Sequence, residues 1–172
     1  MSSVIINQVW RFIALVLFQV FILNNIQLGG YVNPYLYVLF IILLPLETPR
    51  TATLFLGFIL GFSVDLFTQT LGMHTAAAIF TAYSRPYVLN LLSPREDYEF
   101  GTRPNIADMG FTWFLSYASV LVFLHHLVLF LIEIYRLDEL AATLGRALLS
   151  TALTVILIII TQYLTFRPGR AS

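Results

Sequence analysis

Apolar residues run in stretches of about twenty along nearly the whole chain, broken by short polar joints that carry proline, glycine, asparagine or arginine. A helix needs roughly 20 apolar residues to cross a hydrocarbon core about 30 Å thick. Six stretches qualify as predicted spans: 4–23, 31–46, 51–68, 75–92, 109–135 and 141–166. The second is short, with Pro34 near its start and Pro45 near its end, where a missing N–H is tolerable; without it the count would be five. The last two are long enough to tilt. The expected fold is all-α, a single six-helix transmembrane domain over residues 1–172, with no internal repeat.

Composition supports this reading. Hydrophobic residues make up 59% of the chain and charged residues 10%, too little polar surface for a soluble domain of this size. All nine basic residues are arginine, and their positions give an orientation. With the N-terminus inside, Arg11, Arg50, Arg85, Arg95, Arg103, Arg167 and Arg170 fall at the cytoplasmic side. Arg136 falls outside, beside Asp138 and Glu139. This positive-inside pattern places both termini in the cytoplasm. Trp10, Trp113 and Tyr163 then lie at the inner interface, and Tyr31 and Tyr135 at the outer one. No small-residue cleavage site follows Leu23, so a cleaved signal peptide is not expected. Zero net charge gives no sign of nucleic-acid binding, and the absence of cysteine excludes disulfide and thiol chemistry. The hydrophilic stretch Ser93–Asp108 is expected to be a cytoplasmic loop and a possible docking site.

Polar residues inside spans are expensive and need a reason. Gly57, Gly61 and Asp65 are spaced by four and share a helix face. The two glycines form a small-xxx-small pair that lets another helix approach closely. Gly72 follows in the next turn, so Gly57, Gly61, Asp65 and Gly72 form a helix-packing or partner face. Asp65 either caps a neighbouring helix or holds a buried partner, with Arg146 and His126 as candidates by depth. The fifth span carries His125, His126 and Glu133, and the sixth carries Arg146. With Arg85 these make a candidate intramembrane polar cluster. Histidines hydrogen-bonded across helices are favoured over a metal site or proton relay, because the spacing supplies no compact ligand set. Arg146 has Glu133 or Asp65 within predicted reach. Arg85 and Arg11 are expected to snorkel to the headgroups.

Signals for catalysis are poor: no Gly-x-Ser-x-Gly, no His-Glu-x-x-His, no phosphate-cradling loop and no aspartate pair suited to intramembrane proteolysis. No catalytic residue, metal or cofactor is expected. The stretch Gly57–Gly72, with Gly-x-x-x-Asp-Leu-Phe followed by Leu-Gly-Met-His, resembles the signature of the MreD family of rod-shape-determining membrane proteins. Leu23-Asn-Asn-Ile-Gln-Leu-Gly-Gly-Tyr-Val-Asn-Pro-Tyr-Leu-Tyr and Leu91-Leu-Ser-Pro-Arg-Glu-Asp-Tyr-Glu resemble its Bacteroidota-type version. The resemblance covers about Val4 to Tyr163. It implies a non-enzymatic scaffold of the elongation machinery that directs peptidoglycan synthesis, in the bacterial inner (cytoplasmic) membrane. It also implies MreC as partner, with MreB, RodA and a class B penicillin-binding protein beyond it. In fold the family is similar to the substrate-binding subunits of energy-coupling-factor transporters. The Ala-xxx-Ala coupling face of those subunits is missing, since the first span has only Ala14.

Two functions of different class follow. A scaffold needs an exposed small-residue or aromatic face, for which Gly57, Gly61, Ala78 and Ala82 are the candidates. A small-molecule-binding transport subunit needs an aqueous pocket near the outer surface, for which Asp65, His126, Glu133 and Arg146 would supply polar groups.

Overall fold

A computed structural model of the chain describes residues 2–26, 31–93, 98, 101–134 and 140–165. Arg95, Tyr135, Arg136, Asp138, Glu139, Arg167 and Arg170, named above for orientation, lie outside these residues. The described residues are helical with no strand. The long helices are α1 (Ser2–Phe21), α3 (Arg50–Thr68), α4 (Met73–Leu91), α6 (Phe111–Glu133) and α7 (Leu140–Thr165); α2 (Leu39–Ile42) and α5 (Ile106–Met109) are short. Boundaries of the five long helices fall within about two residues of those predicted, because proline, glycine and charge punctuate the chain there. Four helices, those of the first, third, fifth and sixth predicted spans, are long and apolar enough to cross a membrane, as a membrane protein requires. The helix α4 is more polar along its length, and it lies in the same bundle, packed on α3 and α6.

The second predicted span is not one helix. Only Leu36–Val38, a 3-10 turn, and α2 are helical, seven residues in all. Pro34 and Pro45 explain both limits, since proline cannot donate a backbone bond and disfavours helical geometry in the residue before it. This segment is the most buried part of the molecule: Tyr37, Val38, Ile41 and Ile42 are fully enclosed. Its direction follows from its contacts. Pro34 lies against Gln19 and Leu43 against Arg11, so it runs antiparallel to α1. Asn33 and Tyr35 lie against Ser150 and Thr154, so it runs parallel to α7. The segment threads the centre of the bundle, and the helices pack around it.

The α3–α4 hairpin is the tightest helix pair. A Cβ on Gly57 would lie 2.9 Å from Ala82 Cβ and 3.1 Å from Ala78 O. One on Gly61 would lie 2.5 Å from His74 O and collide with the Thr75 backbone. Of the two uses expected for the small-residue face, helix packing and partner docking, the first is present: Gly57 and Gly61 pack on Ala78, Ala82 and the first turn of α4. Gly72 has nothing within 4 Å and φ +85°; it is required for its left-handed backbone at the turn. The loop before α6 is tied back to α4. Tyr98 OH donates to Leu89 O at 2.7 Å and Trp113 Nε1 donates to Leu92 O at 2.9 Å, which satisfies carbonyls in the last turn of α4.

This geometry orders the glycine variants. Gly61→Ala drives a methyl into backbone and is expected to cost about 1–3 kcal/mol, more than Gly57→Ala. Ala82→Gly should relieve part of the Gly57→Ala defect, because it removes the opposing methyl, and none of the Gly61→Ala defect. The temperature at which the purified protein loses its monodisperse elution peak checks both. Equal rescue of the two variants would show that the helices separate as rigid bodies.

Candidate functional site

The polar side chains of the interior converge on the central segment. A broken segment leaves backbone N–H and C=O groups without helical partners, and inside a membrane bundle no bulk water supplies them. Four neighbouring helices supply them here. From α7, Ser150 Oγ accepts from Asn33 N–H at 3.0 Å and Thr154 Oγ1 accepts from Tyr35 N–H at 3.2 Å. From α1, Gln19 does both jobs, donating to Pro34 O at 3.0 Å and accepting from Tyr37 N–H at 3.4 Å. At the other end Tyr117 OH, on α6, donates to Ile42 O at 3.2 Å, and Arg11 donates to Leu43 O at 3.2 Å.

Arg85, on α4, completes this set. It is 2% exposed and donates through Nη2 to Leu44 O at 2.5 Å and to Pro45 O at 3.3 Å, and through Nε to Tyr117 OH at 2.9 Å. The expected snorkelling is therefore corrected. Arg85 turns inward because the carbonyls of Leu44 and Pro45, just past the end of α2, lie there, and a guanidinium fork meets both at once. Arg11 is likewise held in part by the central segment and by Gln8 Oε1 at 3.3 Å.

Asp65 is buried and pairs with neither Arg146 nor His126. Its Oδ1 accepts from His74 N–H at 3.1 Å and from Thr70 Oγ1; its Oδ2 accepts from Thr75 N–H at 2.8 Å and from Thr75 Oγ1. It caps α4 from the preceding helix. The residue at the N-cap position is Gly72, which has no side chain to do so, and a carboxylate also suits the positive end of the helix dipole.

The proposed polar cluster divides into separate groups. Tyr37 OH stands between His74 Nδ1 at 3.0 Å and His125 Nε2 at 2.6 Å, while His125 Nδ1 has no partner among the described residues. A bare acceptor is cheaper than a bare donor, which assigns His125 Nε2–H to Tyr37 and the Tyr37 proton to His74. His126 Nδ1 lies 2.8 Å from Val122 O, to which it donates; Nε2 then accepts from Thr154 Oγ1 at 3.2 Å, with Asn33 O beside it at 3.3 Å. Arg146 pairs with Glu133 at 2.9 Å, and its guanidinium stacks on Phe130 at 4.1 Å. Arg85 is at the opposite end of the bundle from this pair. No group of three or more metal-ligating side chains is assembled among the described residues.

A cavity of about 410 Å³ opens where α3 turns into α4, lined by Asn24, Asn33, Phe67, Thr70 and His74 among others. Asp65, His126, Glu133 and Arg146, expected to furnish a pocket, do not line it. The residues that sequence reasoning passed over are Gln19, Tyr37, Tyr117, Ser150 and Thr154. Their signal was available: each is a polar side chain within an apolar run, a position that calls for an internal partner.

Two stability orders follow. Asp65→Ala strands two backbone N–H groups of α4 at about 1–3 kcal/mol each. Asp65→Asn is expected to fall between wild type and Ala, because all four partners donate and the carboxamide NH2 must face one backbone donor. Arg85→Leu should cost about 1–3 kcal/mol for each carbonyl left without a donor, and Arg85→Lys should recover part of it. Thermal unfolding in a fixed detergent ranks the four variants, and an Asp65→Asn protein as stable as wild type would contradict the capping role.

The chain matches no protein-family model, no curated protein and no solved structure.

Proposed function

We propose that this chain is a non-enzymatic integral membrane scaffold of the MreD type. On this reading it crosses the bacterial inner membrane six times, with both termini in the cytoplasm. It binds MreC within the elongation machinery of peptidoglycan synthesis, with MreB, RodA and a class B penicillin-binding protein as further members of the assembly. The observation that supports it most is how the interior polar groups are used. Gln19, Arg85, Tyr117, Ser150 and Thr154 bond the backbone of the central segment, and Asp65 caps α4. The stretch Gly57–Gly72 on which the family resemblance rests thus has a structural use, closing the α3–α4 hairpin. Such a protein acts through its outer surfaces. Since the Gly57–Gly61 face is covered by α4, the partner docks elsewhere on the bundle.

The cavity beside His74 favours a second reading, a small-molecule-binding subunit of a transporter built on the same bundle.

Co-purification from native membranes separates the two. The scaffold reading expects MreC and cell-wall synthesis proteins; recovery of ATP-binding-cassette subunits in their place would establish the second reading. Orientation is tested by a reporter fused after Ser172. One active only in the cytoplasm should be active there, and activity of a reporter that works only outside the membrane would overturn the six-span topology.

A further inference from the structure

The flank of α4 that faces away from the bundle carries polar groups on a surface that would otherwise suit hydrocarbon. Phe80, Tyr83 and Tyr87 lie on this flank at 40%, 54% and 52% exposure, one turn apart. The two tyrosine rings lean together with centroids 5.4 Å apart, and their hydroxyls are 3.3 Å apart. Whichever hydroxyl donates to the other, one hydroxyl hydrogen of the pair has no acceptor among the described residues. At the head of the stripe, the exposed Arg50 guanidinium stands 5.9 Å from the Tyr87 ring centroid.

Arg50 differs from Arg11, Arg85 and Arg146. Arg11 and Arg85 donate to backbone carbonyls, and Arg146 pairs with Glu133. Arg50 has no carboxylate or carbonyl within bonding distance among the described residues, and its one contact of this kind is the Tyr87 ring. An unpaired cation beside the Tyr87 ring, the Tyr83–Tyr87 hydroxyl pair next to it and the Phe80 ring one turn further along α4 repeat, in order, the chemistry of a membrane lipid: phosphate, ester carbonyl, acyl chain.

We propose that this flank binds one glycerophospholipid, its phosphate on Arg50, an ester carbonyl on the Tyr83–Tyr87 hydroxyl pair and an acyl chain over Phe80. A guanidinium takes a phosphate through two parallel hydrogen bonds. The hydroxyl pair gains the acceptor it lacks, where a bare donor facing hydrocarbon is costly. The Phe80 stripe and the depth of the hydroxyls argue for a lipid over free phosphate. The proposal rests on the chain lying in a bilayer with the start of α3 at headgroup level, and is independent of which proteins it binds.

The test is native mass spectrometry of the full chain in detergent, titrated with phosphatidylglycerol. Wild type should retain one phospholipid. Arg50→Gln should weaken apparent affinity about fivefold, and Arg50→Gln combined with Tyr83→Phe and Tyr87→Phe about tenfold or more. Arg103→Gln, an arginine off this flank, should leave binding unchanged. All these side chains are on the surface, and a monodisperse elution profile verifies that each variant folds. Equal affinity in wild type and the triple variant would overturn the proposal, as would an equal loss in Arg103→Gln, which would mark general surface charge. Carbonate extraction of the source membranes tests bilayer insertion separately, and the co-purification above tests the scaffold reading without reference to lipid.

Discussion

A stretch of chain without continuous helix, enclosed on all sides, must have its peptide groups hydrogen-bonded by something other than itself. That constraint organises this protein. The segment Asn33–Pro45 holds only seven helical residues and lies at the centre of the bundle. Four surrounding helices contribute polar side chains to it: Gln19 and Arg11 from α1, Arg85 from α4, Tyr117 from α6, Ser150 and Thr154 from α7. The helices are held at set depths relative to one another because each must present its polar group to a particular carbonyl or N–H. Apolar packing alone is non-directional and would not set that register.

The two ends of the bundle solve opposite problems. Where α3 turns into α4, free N–H groups at the start of α4 need an acceptor, and the Asp65 carboxylate supplies one. At the other end, the carbonyls of Leu44 and Pro45, just past α2, need donors, and the Arg85 guanidinium supplies them. The Asp65 carboxylate sits at the helix terminus whose dipole it complements. Gly57 and Gly61 belong to the same scheme, since Asp65 reaches His74 and Thr75 only if α3 and α4 approach closely enough to exclude a Cβ.

This arrangement bears on function. Histidines, arginine and aspartate inside a membrane helix invite a reading in terms of transport or proton movement. Their partners here are backbone and side-chain groups of the same chain, so their first duty is to hold the fold. What the fold leaves over is on its surface and at the α3–α4 turn: the Tyr83–Tyr87 flank, the long apolar face of α1 and the cavity beside His74.

The long helices were legible in sequence because hydrocarbon-length apolar runs, bounded by Pro49, Gly72, Gly110 and arginines, leave little choice of element or length. The ionisable positions inside them were legible as sites needing partners, and Arg146 did meet one of its two candidates, Glu133. The central segment was not legible as a broken one. Its apolar residues read like any other span, and Pro34 and Pro45 mark its limits without saying that its middle is enclosed by other helices. The cap that Asp65 supplies was one of the roles legible for it; which groups it meets, and the inward role of Arg85, were hidden for a related reason. A search by residue type looks for opposite charges, whereas their partners are backbone groups, of His74 and Thr75 for Asp65 and of Leu44 and Pro45 for Arg85. Every residue carries such groups, so composition cannot single them out. Only the tertiary path of the chain decides which of them are left free and which side chain comes within reach.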